Sequence, residues 1–314
     1  MIIVRSPLRI TLGGGGTDLP SYYEQHPGLC LAAAIDRYVY ITLHETFVDE
    51  LIVKYSQIER VATAADLKHP IVREALAGIT GQGLEIASHA DIHAGTGLGS
   101  SGAFTCALLG ALYTYQGKLL DKWDLARQAC EIEIDRLHEP IGKQDQYIAA
   151  FGGIQSLKFT PDRVRVEPIK MPQGTRYALE DNLLLFFTGY TRSASDVLAR
   201  PLQADNLSDV RAVASGTLKA LTTGNLSWFA RLLSEQWYLK RCRSSVTSNA
   251  DIDAWYTLGM CNGALGGKLI GAGGGGFLMF YAEDRTRLRQ AMTDAGLREV
   301  RFRFDSDGTR VLTS

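Results

Sequence analysis

Strands and helices follow one another in this chain without the regular βαβ rhythm of a doubly wound sheet, which predicts an α+β fold. Its 314 residues exceed what one core usually needs, so two domains are expected, 1–173 and 174–314. Three glycine clusters punctuate these halves, Gly13–Gly16, Gly95–Gly102 and Gly271–Gly276, each beside a strand or a helix.

The elements can be justified in order. Ile2–Leu12 reads as a strand running into the first glycine cluster. Leu29–Glu45, where Tyr38, Tyr40 and Thr42 alternate with apolar residues, and Leu51–Tyr55 read as further strands. Ile71–Gly78 is predicted helical, and Glu85–Ile92 alternates as a half-exposed antiparallel strand does. Ala103–Tyr115 carries no charge and no proline, which predicts a buried helix. Lys122–Leu137 is amphipathic and stops before Pro140. Gly152–Phe159 and Val164–Ile169 pair around the turn TPDR. Beyond the boundary, Leu183–Phe187 and Phe277–Tyr281 read as strands, as does Glu299–Phe304 at the end. Helices are expected at Ala194–Ala199, Asp209–Leu221, Leu226–Trp237, Ile252–Asn262 and Arg285–Ala295.

Composition excludes several function classes. Hydrophobic residues make up 46% and charged residues 21%, and the net charge is −1, which gives no reason to expect nucleic acid or an acidic membrane as partner. Five scattered cysteines without a C-x-x-C read as free thiols in a reducing cytoplasm. MIIVRSPLRITL is interrupted by Arg5 and Arg9 and is not read as a signal peptide. The uncharged run Ala94–Gln116 is half glycine, serine and threonine, leaving too short an apolar part for the ~20 residues of a membrane span. A cytoplasmic monomer or homodimer is expected.

The middle cluster carries the most chemistry. Gly95, Gly97, Gly99 and Gly102 alternate with Thr96, Leu98, Ser100 and Ser101, then feed the buried helix. Glycine lets backbone approach a ligand, and the first helical turn offers free N–H groups and a positive dipole end. Hydroxyls there can hold a metal that bridges phosphates. The residues alone read equally as a plain loop or as a phosphate cradle. A Walker A loop would need Lys before its hydroxyl residue, and Ala103 follows Ser101 instead. Gly97, Gly99 and Gly102 do fit G-x-G-x-x-G, but no acid stands on a second strand about 20 residues on, so a dinucleotide site is the weaker reading. His89 and His93 lack a third ligand for zinc.

Taken in order, SPLRITLGGGGTDLP (6–20), AGTGLGSSGA (94–103) and KLIGAGGGGFLMFY (268–281) resemble the three motifs of the GHMP kinases, the family of galactokinase, homoserine kinase and mevalonate kinase. The segments LGGGGTDLP, EIEIDRLHEPIGKQDQYIAAFGG and TGYTRSAS look closest to sugar kinases of the D-glycero-D-manno-heptose 7-phosphate kinase type. The resemblance implies an N-terminal ribosomal-protein-S5-domain-2-like domain and a C-terminal ferredoxin-like α+β domain, with the active site in the cleft between them. It implies ATP and Mg²⁺, and transfer of phosphate to a sugar hydroxyl. Gly95, Gly97, Leu98, Gly99, Ser100, Ser101 and Gly102 would then cradle the ATP phosphates. Ser101, rather than Ser100, and Glu133 would hold the metal; Glu131 competes, although residues at i and i+2 do not share a helix face. Asp145, twelve positions after Glu133, would accept the proton of the attacking hydroxyl, with Arg9 beside it. Asp18, Gly15, Thr17, Arg192, Gly274 and Gly275 would bind the sugar.

One departure is informative. Gly14, Gly15 and Gly16 stand where galactokinases carry a bulky acid and histidine, which leaves space for a different sugar. A phosphorylated sugar also needs cations. Arg192 is one candidate, and Lys240, Arg241 and Arg243 are a second group that reads equally well as a solvated helix end.

Overall fold

The computed structural model describes residues 1–77, 83–199 and 206–314. Two sheets organise it. The first is built from β1 (Ile2–Gly13), β2 (Gly28–Glu45), β3 (Leu51–Lys54), β4 (Ile58–Val61), β5 (Leu84–Ala90), β6 (Ile154–Phe159) and β7 (Val164–Pro168). The second holds β8 (Leu183–Phe187), β9 (Ala264–Leu269), β10 (Phe277–Ala282) and β11 (Arg298–Val300) in the order β11-β8-β10-β9, all antiparallel. The last strand, β12 (Arg310–Thr313), returns to the first sheet and pairs with β1. A cut at 173/174 therefore separates the two sheets except for this one strand.

β2 is the spine of the first sheet. Its 18 residues pair with β1 along most of their length. Its second half pairs with β5 and its first half with β6. The sequence encodes this length: residues 28–35 are buried without interruption, and burial alternates beyond them. The first stretch has helices on its face and the second is half-solvated.

The helices are α1 (Pro20–Tyr23), α2 (Pro70–Ala75), α3 (Ser100–Tyr115), α4 (Lys122–Cys130), α5 (Gln144–Phe151), α6 (Gln173–Asn182), α7 (Ala194–Leu198), α8 (Leu207–Thr223), α9 (Leu226–Arg243), α10 (Ala250–Cys261) and α11 (Arg285–Asp294). The end expected for the second of these at Gly78 lies outside the described residues. Helix α3 buries nine of its residues against β1, β2 and α5, as its uncharged sequence requires. One apolar cluster runs from this sheet through α8 and α9 to Phe277 and Tyr281 of the second sheet, and a smaller one around Trp237 and Phe280 lies behind it.

Three differences from the sequence reading have physical causes. The amphipathic segment 122–137 is α-helical only to Cys130; Glu131–Arg136 widens into a π-helical turn. Strand β9, ALGGKL, carries two glycines and no β-branched residue, so it shows no strand signal, yet α9 packs directly on it. The expected closing strand shrinks to Arg298–Val300; Phe302 and Phe304 are buried beyond it, and Phe304 bridges to Ile35.

The α9–β9 contact has a direct test. A Cβ at Gly266 would lie 1.7 Å from the Ala230 carbonyl oxygen, a backbone atom that can yield only if the helix moves. Gly266→Ala is expected to cost at least the 1–3 kcal/mol typical of overpacking, about that range or more, read by urea unfolding. An unchanged midpoint would contradict this packing.

Candidate active site

The site begins with Arg9, because β1 carries it into the interior beneath the middle glycine loop. Its side chain is 5% exposed. Its Nε and Nη2 donate to Asp145 Oδ1 and Oδ2, both at 2.7 Å, a two-pronged pair. Nη1 donates to the Gly97 carbonyl, and the Arg9 backbone N–H donates to the Leu98 carbonyl at 2.9 Å. One residue thus fixes both Asp145 and the loop that precedes α3. A Cβ at Gly99 would meet Arg9 and the Asp145 carboxyl at 3.0–3.2 Å, and one at Gly102 would meet the Asp145 backbone at 3.0 Å. Glycine is what lets the loop settle onto the pair.

Asp145 stands in the first turn of α5. Asp18 organises that turn. Its Oδ1 accepts from Gly16 N–H at 2.9 Å, and its Oδ2 accepts from Gln144 N–H at 3.3 Å. Its backbone carbonyl accepts from Lys143 N–H at 3.3 Å. Burial and the nearby Asp145 raise its pKa. A Cβ at Gly142 would lie 1.9 Å from Asp18 Oδ2, so any residue but glycine there would displace the Asp18 carboxyl.

On the other side of Asp145, Glu133 points inward from the π-helical turn and is fully buried. It accepts from Ser101 Oγ and, at 3.0 Å, from Gln146 Nε2. Burial pushes its pKa up to about 7, against the opposing effect of these hydrogen bonds. Glu131 faces the surface and pairs with Arg136, so of the two acids it is Glu133 that meets Ser101. Ser100 opens α3 with no side-chain hydrogen bond among those described. A hydroxyl bonded to a buried carboxylate, with no cation beside either among the described residues, suits a small divalent cation that keeps most of its waters.

The third glycine cluster lies against the middle one, backbone to backbone. A Cβ at Gly271 would sit 2.5 Å from Gly97 Cα, and one at Gly276 would sit 2.2 Å from the Thr96 carbonyl oxygen. Gly274 and Gly275, read as sugar-binding, pack instead on Val246, Tyr190 and Arg192 and do not line the cavity described next.

That cavity, about 220 Å³, opens beside Asp145 between the two sheets. Arg9, Gly15, Asp18 and Asp145 line it, together with Gln236, Lys240, Arg243 and Lys268. Thr17 does not reach it; its hydroxyl is bonded to the Gly14 and Leu29 carbonyls and accepts from Leu29 N–H, which holds the first loop on β2. Leu98 is fully buried, so only its backbone faces the loop. Arg192 is exposed, bonded through its backbone N–H to the Gly95 carbonyl, and absent from the cavity wall. Arg241 pairs with Asp253 at the surface. Lys268 and Gln236, joined at 2.8 Å, are wall residues the sequence reading did not single out. Burial lowers the pKa of Lys268 to about 7 and that of Lys240 well below its usual value.

Comparison with known proteins shows the family and the fold. Residues 59–153 match the GHMP kinases N terminal domain, and residues 217–296 match GHMP kinases C terminal. The chain is 29% identical over 303 residues to a D-glycero-alpha-D-manno-heptose 7-phosphate kinase of Campylobacter jejuni, covering 90% of this chain and 89% of that one. It is 28% identical to an L-fucokinase/L-fucose-1-P guanylyltransferase of Bacteroides fragilis, over 92% of this chain and 36% of the longer protein. The crystal structure of a D-glycero-D-manno-heptose 1-phosphate kinase from Bacteroides thetaiotaomicron superposes with a TM-score of 0.82 at 27% identity, covering 100% and 99% of the two chains. A mevalonate kinase structure, 19% identical with a TM-score of 0.75, shares the same two-domain fold. Among the described residues no helix is long and apolar enough to cross a membrane.

Proposed function

The chain belongs to the GHMP kinase family and is a sugar kinase, and we propose that it transfers the γ-phosphate of ATP to the anomeric hydroxyl of D-glycero-D-manno-heptose 7-phosphate. The observation that carries the reading is the two-pronged Arg9–Asp145 pair lying under the first turn of α3.

In this reading the N–H groups of Gly99 to Gly102 hold the ATP phosphates at the positive end of α3. Ser101 and Glu133 hold Mg²⁺, which when bound neutralises charge on the phosphates. Asp145 accepts the proton of the attacking hydroxyl, and Arg9 both aims that carboxylate and faces the charge that grows on the moving phosphoryl group. Asp18 and the Gly15 backbone hold the sugar in the cavity. Residues 1–173 would carry the nucleotide and the proton acceptor, and 174–314 would close the far wall of the cleft. The similarity to heptose phosphate kinases and the cationic cavity wall support the phosphorylated acceptor.

The test is ADP release with ATP and Mg²⁺ against heptose 7-phosphate, galactose, fucose and mannose. Turnover confined to the heptose phosphate is expected. Turnover on a free hexose alone would keep the kinase and overturn the acceptor.

A further inference from the structure

The space left by the first glycine cluster is already filled, by Arg243. A Cβ at Gly16 would lie 2.5 Å from Arg243 Nη1, so any other residue at position 16 would meet the guanidinium. Gly16 has φ +101°, a conformation that favours glycine as well. Arg243 reaches this position from the last turn of α9, across the cavity from the strand that carries Arg9.

The guanidinium of the half-buried Arg243 is poorly paired. Its Nη2 reaches the Gly15 carbonyl only at 3.5 Å, and its Nε is buried with no hydrogen-bond partner among the described residues. Burial lowers its pKa, with Asp18 opposing. Asp18, the acid that faces it, is already engaged by Gly16 N–H and Gln144 N–H. Its cationic neighbours are more fully committed: Lys240 donates to the Leu269 and Gly271 carbonyls, and Lys268 donates to Gln236. A half-buried arginine fork that lines a cavity, with no hydrogen bond among those described beyond the long one to Gly15, fits a dianionic oxygen group.

We propose that Arg243, in the room that Gly16 leaves, binds the phosphate ester of the sugar and makes this kinase prefer a phosphorylated acceptor over the free sugar. This rests on the sugar-kinase reading, with Arg243 away from the reacting hydroxyl at Asp145. A free sugar would leave the fork without an anionic partner, which is how such a site disfavours the wrong substrate.

The experiment compares D-glycero-D-manno-heptose 7-phosphate with unphosphorylated D-glycero-D-manno-heptose, for the native enzyme, Arg243→Ala and Arg243→Lys. The ratio of kcat/KM between the two sugars is expected to fall roughly 10- to 100-fold in Arg243→Ala, the loss of charge-assisted hydrogen bonds, and to recover partly in Arg243→Lys. Calorimetric binding of heptose 7-phosphate without ATP should weaken in parallel, which reads the site independently of turnover. Equal losses on both sugars would overturn the proposal, as would native affinity for the heptose phosphate in Arg243→Ala. A native enzyme that turns over neither sugar yet binds the phosphate through Arg243 would overturn the kinase reading alone.

Discussion

Asp145→Asn is expected to lower kcat by about 10²–10⁴-fold, the range for losing a positioned general base. ATP affinity should stay within a few-fold of native. The amide keeps the size of the carboxyl and one acceptor oxygen for Arg9; its NH2 faces the second Arg9 donor, but Arg9 stays tied to the loop through the Gly97 and Leu98 carbonyls. What is lost is the ability to take a proton as the new bond forms, a transition-state interaction, and such losses fall on kcat. Single-turnover rates and nucleotide titration on the same variant separate the two quantities. Native turnover would remove Asp145 from the chemistry. A parallel collapse of ATP binding would mean that the pair with Arg9 serves only the loop.

Glu133→Gln is expected to raise the Mg²⁺ concentration for half-maximal rate by about 10- to 100-fold or more, since altering even the partners of metal ligands has effects of that size. A second readout comes from stability. Glu133 is fully buried, and burial pushes its pKa up to about 7 despite the hydrogen bonds it accepts, so its charged form is costly there until a cation arrives. Removing the charge should raise the melting temperature of the metal-free protein, while the further rise caused by Mg²⁺ in the native protein should shrink. Ser101→Ala should show the same higher Mg²⁺ requirement with a lower metal-free stability, because Glu133 loses one of the hydrogen bonds that offset its burial. An unchanged Mg²⁺ titration in both variants would show that the metal is held elsewhere.

Much of this was legible in the residues. Long apolar or alternating runs such as 2–12 and 28–45 declare themselves, because burial on one or both faces leaves a periodic trace. The glycine loop, Asp145, Arg9 and Glu133 come together as their motifs imply. The misses share a cause: they are contacts between distant segments. Nothing local marks β9 as a strand, since Gly266 answers to α9 packed above it and Gly267 to Phe280 of β10. Gly274 and Gly275 looked like ligand contacts, yet they pack on Tyr190 and the turn at Val246. Thr17 is likewise absorbed by the backbone of its own loop. Arg192 and Arg243 are indistinguishable by residue type; only the fold puts one outside the cavity and the other in its wall.

The most direct test of the central claim is ³¹P nuclear magnetic resonance of the native enzyme with ATP, Mg²⁺ and D-glycero-D-manno-heptose 7-phosphate. The expected product is ADP together with a sugar carrying two phosphorus signals, the new one coupled to the anomeric proton. ATP left intact, or ADP accompanied only by inorganic phosphate, would contradict transfer to the sugar in this cleft.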